Sequence, residues 1–128
     1  MVTEMVGSLV DLKEKDRFIS ERLGPVGFFH ELPEKEKADL VAKNPDYGEV
    51  ICRCEQITKK EVLDAIQNPL GNSTINGIKY RSRAMMGRCQ GGFCLPRIVE
   101  ILEKEFGYRP EDFFLQSKNS PLFSGRVR

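Results

Sequence analysis

Apolar residues recur at helical spacing near the start of the chain, where Val2, Met5, Val6, Leu9 and Leu12 share one face and no cap precedes them. The pattern predicts a helix that opens as a longer one would if cut. "DRFISERLGP" adds a turn or two before Gly24-Pro25 interrupts it. Pro33 then opens a polar helix with acidic residues in its first turn and a stop at Asn44-Pro45. "EVIC", residues 49–52, is short, rich in β-branched residues and extended. Thr58-x-x-Glu61 is a capping box ahead of Val62, Leu63 and Ile66, and Asn68-Pro69-Leu70-Gly71-Asn72 ends that helix. Ser73 or Thr74 can cap the next helix, roughly 75–86. A further helix begins just after Cys94, with Pro96 in its first turn. Leu95, Ile98, Val99, Leu102 and Phe106 form its stripe and Gly107 its stop. The tail, "FFLQSKNSPLFSGRVR", predicts short extended pieces around a turn. The fold class expected is mainly α, with little sheet.

Composition changes this picture in one respect only. At 128 residues and 40% hydrophobic the chain supports a modest core, which a metal or a partner would reinforce. Lys+Arg number 20 against 19 Asp+Glu, so no global field points to nucleic acid or an anionic membrane. No apolar run approaches the roughly 18 residues of a membrane span. No secretory signal is recognisable, so the expected compartment is the cytoplasm, where thiols stay reduced. Association with a membrane through partner subunits is left open.

The four cysteines carry the chemistry, in the pattern C-x-C, 34 residues, C-x4-C: Cys52 and Cys54, then Cys89 and Cys94. In an extended stretch residues i and i+2 point the same way, so Cys52 and Cys54 can offer two sulfurs to one centre. Gly91-Gly92 allows positive φ and a close backbone approach, and leaves amides free to bond a negatively charged centre. Cysteines are often buried merely as small apolar residues, and two tight pairs beside glycines are poorly explained that way. A disulfide framework lacks its secretory context, and no C-x-x-C motif is present. Four-thiolate metal binding remains, as structural zinc or an iron–sulfur cluster. Zinc pairs are usually spaced C-x2-4-C, which the C-x-C arm does not satisfy, so a 2Fe–2S cluster suits the spacing better. Arg53 and Arg88 adjoin the cysteines and would offset the negative charge of such a centre. Lys79, Arg81 and Arg83 lie one helix upstream, as an anion or partner face or as an ordinary solvated surface.

"ICRCEQITKKEV" followed by "GIKYRSRAMMGRCQGGFCLPRIVEIL" resembles the bacterioferritin-associated-ferredoxin-like 2Fe–2S domain. The lead-in "FFHELPEKEKADLVAKNPDYGEVICRCEQIT" is similar to that of the C-terminal domain in FAD-dependent anaerobic glycerol-3-phosphate dehydrogenases. The resemblance covers residues 28–128. It implies a small helix-turn-helix domain whose cluster is ligated by Cys52, Cys54, Cys89 and Cys94. Residues 1–27 would be the end of a preceding flavoprotein domain and a linker, in a fragment excised from a longer parent. Tyr80 stands where the family often has a second basic residue and Met85 where glycine is common, and neither is expected to touch a ligand. The implied role is relay of electrons from the parent's FAD to an acceptor protein or a quinone-linked subunit. Related domains also sit on amino-acid, opine and nitrite-linked oxidoreductases, so the substrate stays open, and a cluster or metal chaperone module is the further alternative.

No GxGxxG fingerprint is present, so FAD is expected on the missing N-terminal part of the parent. His30, the single histidine, reads as a surface or packing residue, and the carboxylates form no pair suited to acid–base work. Catalysis in the strict sense is therefore not expected of this chain.

Overall fold

The computed structural model describes residues 28–68 and 74–125. The N-terminal helical extension, the linker through residue 27 and the Ser73 cap lie outside the described residues. After a short 3-10 turn at Phe29–Glu31, α1 spans Glu34–Lys43, with Pro33 as its N-cap, Glu34 and Glu36 in its first turn and Lys43 in its last. That order of charges complements the helix dipole. None of its residues is fully buried, though Val41 packs toward Gly48. At the C-terminal end Asn44 Oδ1 accepts from the Asp46 N–H at 2.9 Å, which opens the next 3-10 turn, Pro45–Tyr47.

The strand expected at "EVIC" is β1, Val50–Cys52, which pairs antiparallel with β2, Ile57–Thr58, in the register Val50↔Thr58 and Cys52↔Ile57. Between them Arg53–Gln56 form a turn, with Gln56 at φ 53°. Helix α2, Lys59–Ile66, follows without a break because Thr58 ends the strand and caps the helix. The expected capping box is complete: Thr58 Oγ1 accepts from the Glu61 N–H, and Glu61 Oε2 accepts from the Thr58 N–H at 2.7 Å. The other Glu61 oxygen accepts from the Phe29 N–H at 3.0 Å, so one carboxylate joins the lead-in to the domain.

Helix α3, Ile75–Ser82, is capped by Thr74 Oγ1, which accepts from the Gly77 N–H at 3.1 Å. It ends before the expected residue 86 because Arg83 turns left-handed, at φ 63°, while its N–H still reaches the Lys79 carbonyl. The residues thereby freed form the loop that leads to Cys89. Helix α4, Cys94–Phe106, starts at Cys94 itself and stops at Gly107, φ 68°, as the stripe of apolar residues predicts. The tail returns over the bundle: Phe114 bridges Thr74 and Pro121, and the Leu122 N–H donates to the Phe113 carbonyl at 2.7 Å.

The core gathers Ile51 and Ile57 of the hairpin, Val62 of α2, Ile78 of α3, Ile98 of α4 and Phe113 of the tail, all essentially inaccessible. Each such side chain contributes about 1.5–3 kcal/mol relative to exposure. Cys52 and Cys94 belong to the same cluster, so half of the cysteine set is core as well as chemistry. The mainly α class expected from the sequence is the one observed. No helix among the described residues is long and apolar enough to cross a membrane.

Candidate metal centre

The hairpin turn and the loop ahead of α4 bring one cysteine of each arm to the surface, while the ends of β1 and α4 keep the other two in the core. Strand β1 ends at Cys52, so that side chain stays in the core at 1% exposure, while the turn that follows carries Cys54 to the surface. The extended C-x-C expected from the sequence is therefore not what forms, since the hairpin has to reverse within four residues, 53–56. Cys54 Sγ lies 3.6 Å from Cys89 Sγ, and both residues are exposed. Cys52 and Cys94 are both buried and belong to the same core cluster. Among the described residues no three Cys, His, Asp or Glu side chains converge on a point suited to one metal ion.

Electrostatics separate the pairs further. The Cys89 thiol is held below its ordinary value, chiefly by the Phe93 N–H, then by the Cys54 sulfur and by the amides of Gly91 and, more weakly, Gly92. Burial pushes the Cys94 thiol up to about 11, and the neighbouring Cys52 adds to the rise while the Met85 amide opposes it. An amide cage around one sulfur and a dry pocket around another suit thiolates that share a negatively charged centre.

Gly91 takes the positive φ expected of it, 89°, with a Cβ there meeting Met85 Cγ at 3.3 Å; Gly92 is not among the positive-φ residues. Met85 itself adopts φ 68°, the conformation that glycine takes most easily, and it is buried against Gly91. Its side chain packs against the Gly91 position. Gly87 was not singled out in the sequence, yet a Cβ at that position would fall 2.1 Å from Cys54 Cβ. Its signal was present in "GRCQGGFC", two residues ahead of Cys89, but a close approach to residue 54 cannot be read along the chain. Gln90 ties the same loop, with Nε2 donating to the carbonyls of Gly87 at 2.9 Å and Met86 at 3.1 Å.

The basic residues divide. Arg83 Nη2 and Nε both reach Glu55 Oε2, at 3.1 and 3.2 Å, which joins the hairpin turn to the end of α3. Arg81 lines a different cleft, with Glu61 and Asp64, and Lys79 is half-buried, so these three do not form one unpaired face. Arg53 lies with its guanidinium carbon 4.3 Å above the Phe93 ring, and Arg88 is exposed with no ion pair among the described residues. Tyr80 is on the surface, 67% exposed. His30 stacks on Phe28 at 5.7 Å and faces a cleft of about 300 Å³ that Cys54, Glu55 and Arg83 also line; its Nδ1 is buried without a hydrogen-bond partner.

Residues 50–104 match the model of the "BFD-like [2Fe-2S] binding domain" family. All four cysteines fall inside the matched span. Within that span the chain is similar to this family. A protein named glycerol 3-phosphate dehydrogenase, from Caloramator mitchellensis, is 45% identical over 100 residues, 78% of this chain and 21% of that protein. The anaerobic glycerol-3-phosphate dehydrogenase of Haloferax volcanii is matched in one of its subunits, 34% identical over 70 residues, 55% of this chain and 12% of the relative. An opine oxidase subunit from Rhizobium meliloti is 32% identical over 123 residues, 94% of this chain and 22% of the relative. The chain thus spans less than a quarter of the length of these relatives. No solved structure matches it.

The donor set fits the cluster the family name specifies: four soft thiols, two held dry and two at the surface, with backbone N–H groups turned toward them.

Proposed function

We propose that Cys52, Cys54, Cys89 and Cys94 hold a 2Fe–2S cluster through which this domain relays electrons from the FAD of a larger parent oxidoreductase to an acceptor. The observation that carries the proposal is the approach of thiols from the two arms, Cys54 Sγ 3.6 Å from Cys89 Sγ at the surface with Cys52 and Cys94 buried in the core. A binuclear cluster takes two protein thiolates on each metal, whereas a structural zinc ion needs all four donors around one point. When bound, the cluster supplies one-electron exchange. The chain's own residues give it a rigid seat. Cys52 and Cys94 would anchor it in the core, the Phe93 and Gly91 amides would stabilise the Cys89 thiolate, and Arg53 and Arg88, each one residue before a cysteine, would supply counter-charge. FAD and substrate belong to the rest of the parent, and the printed names of the relatives favour glycerol 3-phosphate over an opine as that substrate.

The test is compositional and spectroscopic. Anaerobically prepared chain is expected to be brown, with two irons and two sulfides per chain and a paramagnetic signal on one-electron reduction. Colourless protein that holds one zinc ion even after iron and sulfide reconstitution would defeat the proposal. So would a cluster that the reduced parent flavoprotein cannot reduce.

A further inference from the structure

The four thiols present one edge to solvent. Cys54 and Cys89 are exposed and 3.6 Å apart, while Cys52 and Cys94 are closed off by the core. Each exposed cysteine is preceded by an exposed arginine, Arg53 and Arg88. Arg83, Arg97 and Arg109 each meet a carboxylate, at 3.1, 2.8 and 3.3 Å. Arg53 and Arg88 meet none among the described residues. Arg53 instead lies over Phe93, a ring left 43% exposed beside Cys94. Arginine and aromatic side chains are the residues enriched where protein partners bind, and unpaired cations on the rim steer an oppositely charged surface into place.

We infer that this edge, with Arg53, Arg88 and Phe93 around Cys54 and Cys89, docks an electron-exchanging protein whose surface presents carboxylates around an apolar spot. The inference rests on the proposed cluster-binding role and adds the kind of partner that meets the cluster and where. The guanidinium groups would do a different job if they only offset the charge of the centre. Reversing them would then move its midpoint potential and leave association with an acidic protein untouched. If they dock a partner, reversal acts on the encounter itself.

The cluster-loaded chain is mixed in a stopped-flow instrument with a strongly acidic flavodoxin in its reduced form, over a series of ionic strengths. One electron per encounter passes from the reduced flavin of the probe to the oxidised centre. The expected rate falls as salt rises. In the Arg53→Glu/Arg88→Glu double variant, the low-salt rate per loaded cluster drops roughly tenfold and the salt dependence flattens. Arg88→Glu alone, which breaks no contact among the described residues, gives a smaller change in the same direction. A salt dependence unchanged in the double variant overturns the inference. So does a loss of rate that follows a shifted midpoint potential with no change in salt dependence. A chain that takes up no cluster overturns both this inference and the functional proposal, whereas a loaded chain indifferent to the arginines overturns the docking surface alone.

Discussion

The inner pair, Cys52 and Cys94, and the outer pair, Cys54 and Cys89, contain the same functional group in opposite surroundings. Secondary structure positions the inner pair: Cys52 ends β1 and Cys94 opens α4, and both pack among Ile51, Ile57 and Ile98. The outer pair is positioned by turns whose backbones need particular φ values, at Gln56, Gln90 and Gly91. The domain thus separates two tasks that one cysteine cannot perform together. In the proposed cluster site one pair would supply a dry, rigid seat, and the other would leave the centre within reach of solvent and partners.

The largest effect is expected from Gly87→Ala. The added carbon would meet Cys54 Cβ at 2.1 Å, so the hairpin tip must move and the outer pair must open. Iron and sulfide analysis should find most of the cluster gone, with α-helical circular dichroism retained; full occupancy would show that the outer pair tolerates displacement. Cysteine-to-serine changes come next and should split the pairs. All four lower cluster content. Cys94→Ser should also cost the metal-free fold about 1–3 kcal/mol, because a hydroxyl replaces a thiol at a site with no exposure. Cys54→Ser, at the surface, should leave thermal stability within about 0.5 kcal/mol. Equal losses of stability at both positions would remove the distinction.

Titration offers a third comparison. In the metal-free protein Cys89 should be alkylated first and Cys94 last, since Cys89 is lowered by the Phe93 amide while burial raises Cys94 to about 11. A raised folded-state value means that the native chain holds its proton more tightly than the unfolded chain does. The contribution of Cys94 is therefore complete below its ordinary value of 9.0 and is lost as pH climbs through about 11. Denaturation midpoints measured across that interval should fall for wild type and stay flatter for Cys94→Ala. The smallest effect belongs to Arg97, whose Nη1 donates to the Val50 carbonyl at 2.7 Å and whose Nη2 meets Glu49 at 2.8 Å. Arg97→Met should cost about 1 kcal/mol by chemical denaturation, with little effect on the outer pair.

Much of the scaffold was legible in the sequence because local chemistry encodes it. Thr58 and Glu61 announce a helix start, the stripe from Leu95 to Phe106 announces a face, and Gly107 its end. The grouping of the four cysteines was legible for the same reason, as two tight pairs beside glycines. Their pairing was not. Strand alternation suggested that Cys52 and Cys54 face one way, but the chain turns back immediately after Cys52, and a two-residue β2 leaves no room for an extended arm. The early stop of α3 was hidden because Arg83 is a good helix former that the Glu55 pairing and a left-handed φ remove from the helix. Gly87 and Met85 matter through contacts with residues 54 and 91, and such approaches exist only once the fold has formed.

The crossing of the pairs has a consequence for the life history of the domain. Each pair takes one thiol from an early segment and one from a late segment, 35 residues apart for Cys54 and Cys89. Neither half of the proposed site exists until the ribosome has delivered Cys89, and the second half waits for Cys94, so metal loading would be a late event that reports completed folding. A centre held by both pairs would fasten the chain to itself twice and shrink the freedom of its unfolded state as two crosslinks do. Loading and unfolding should therefore each be all-or-none, and a half-loaded domain should be absent from any preparation.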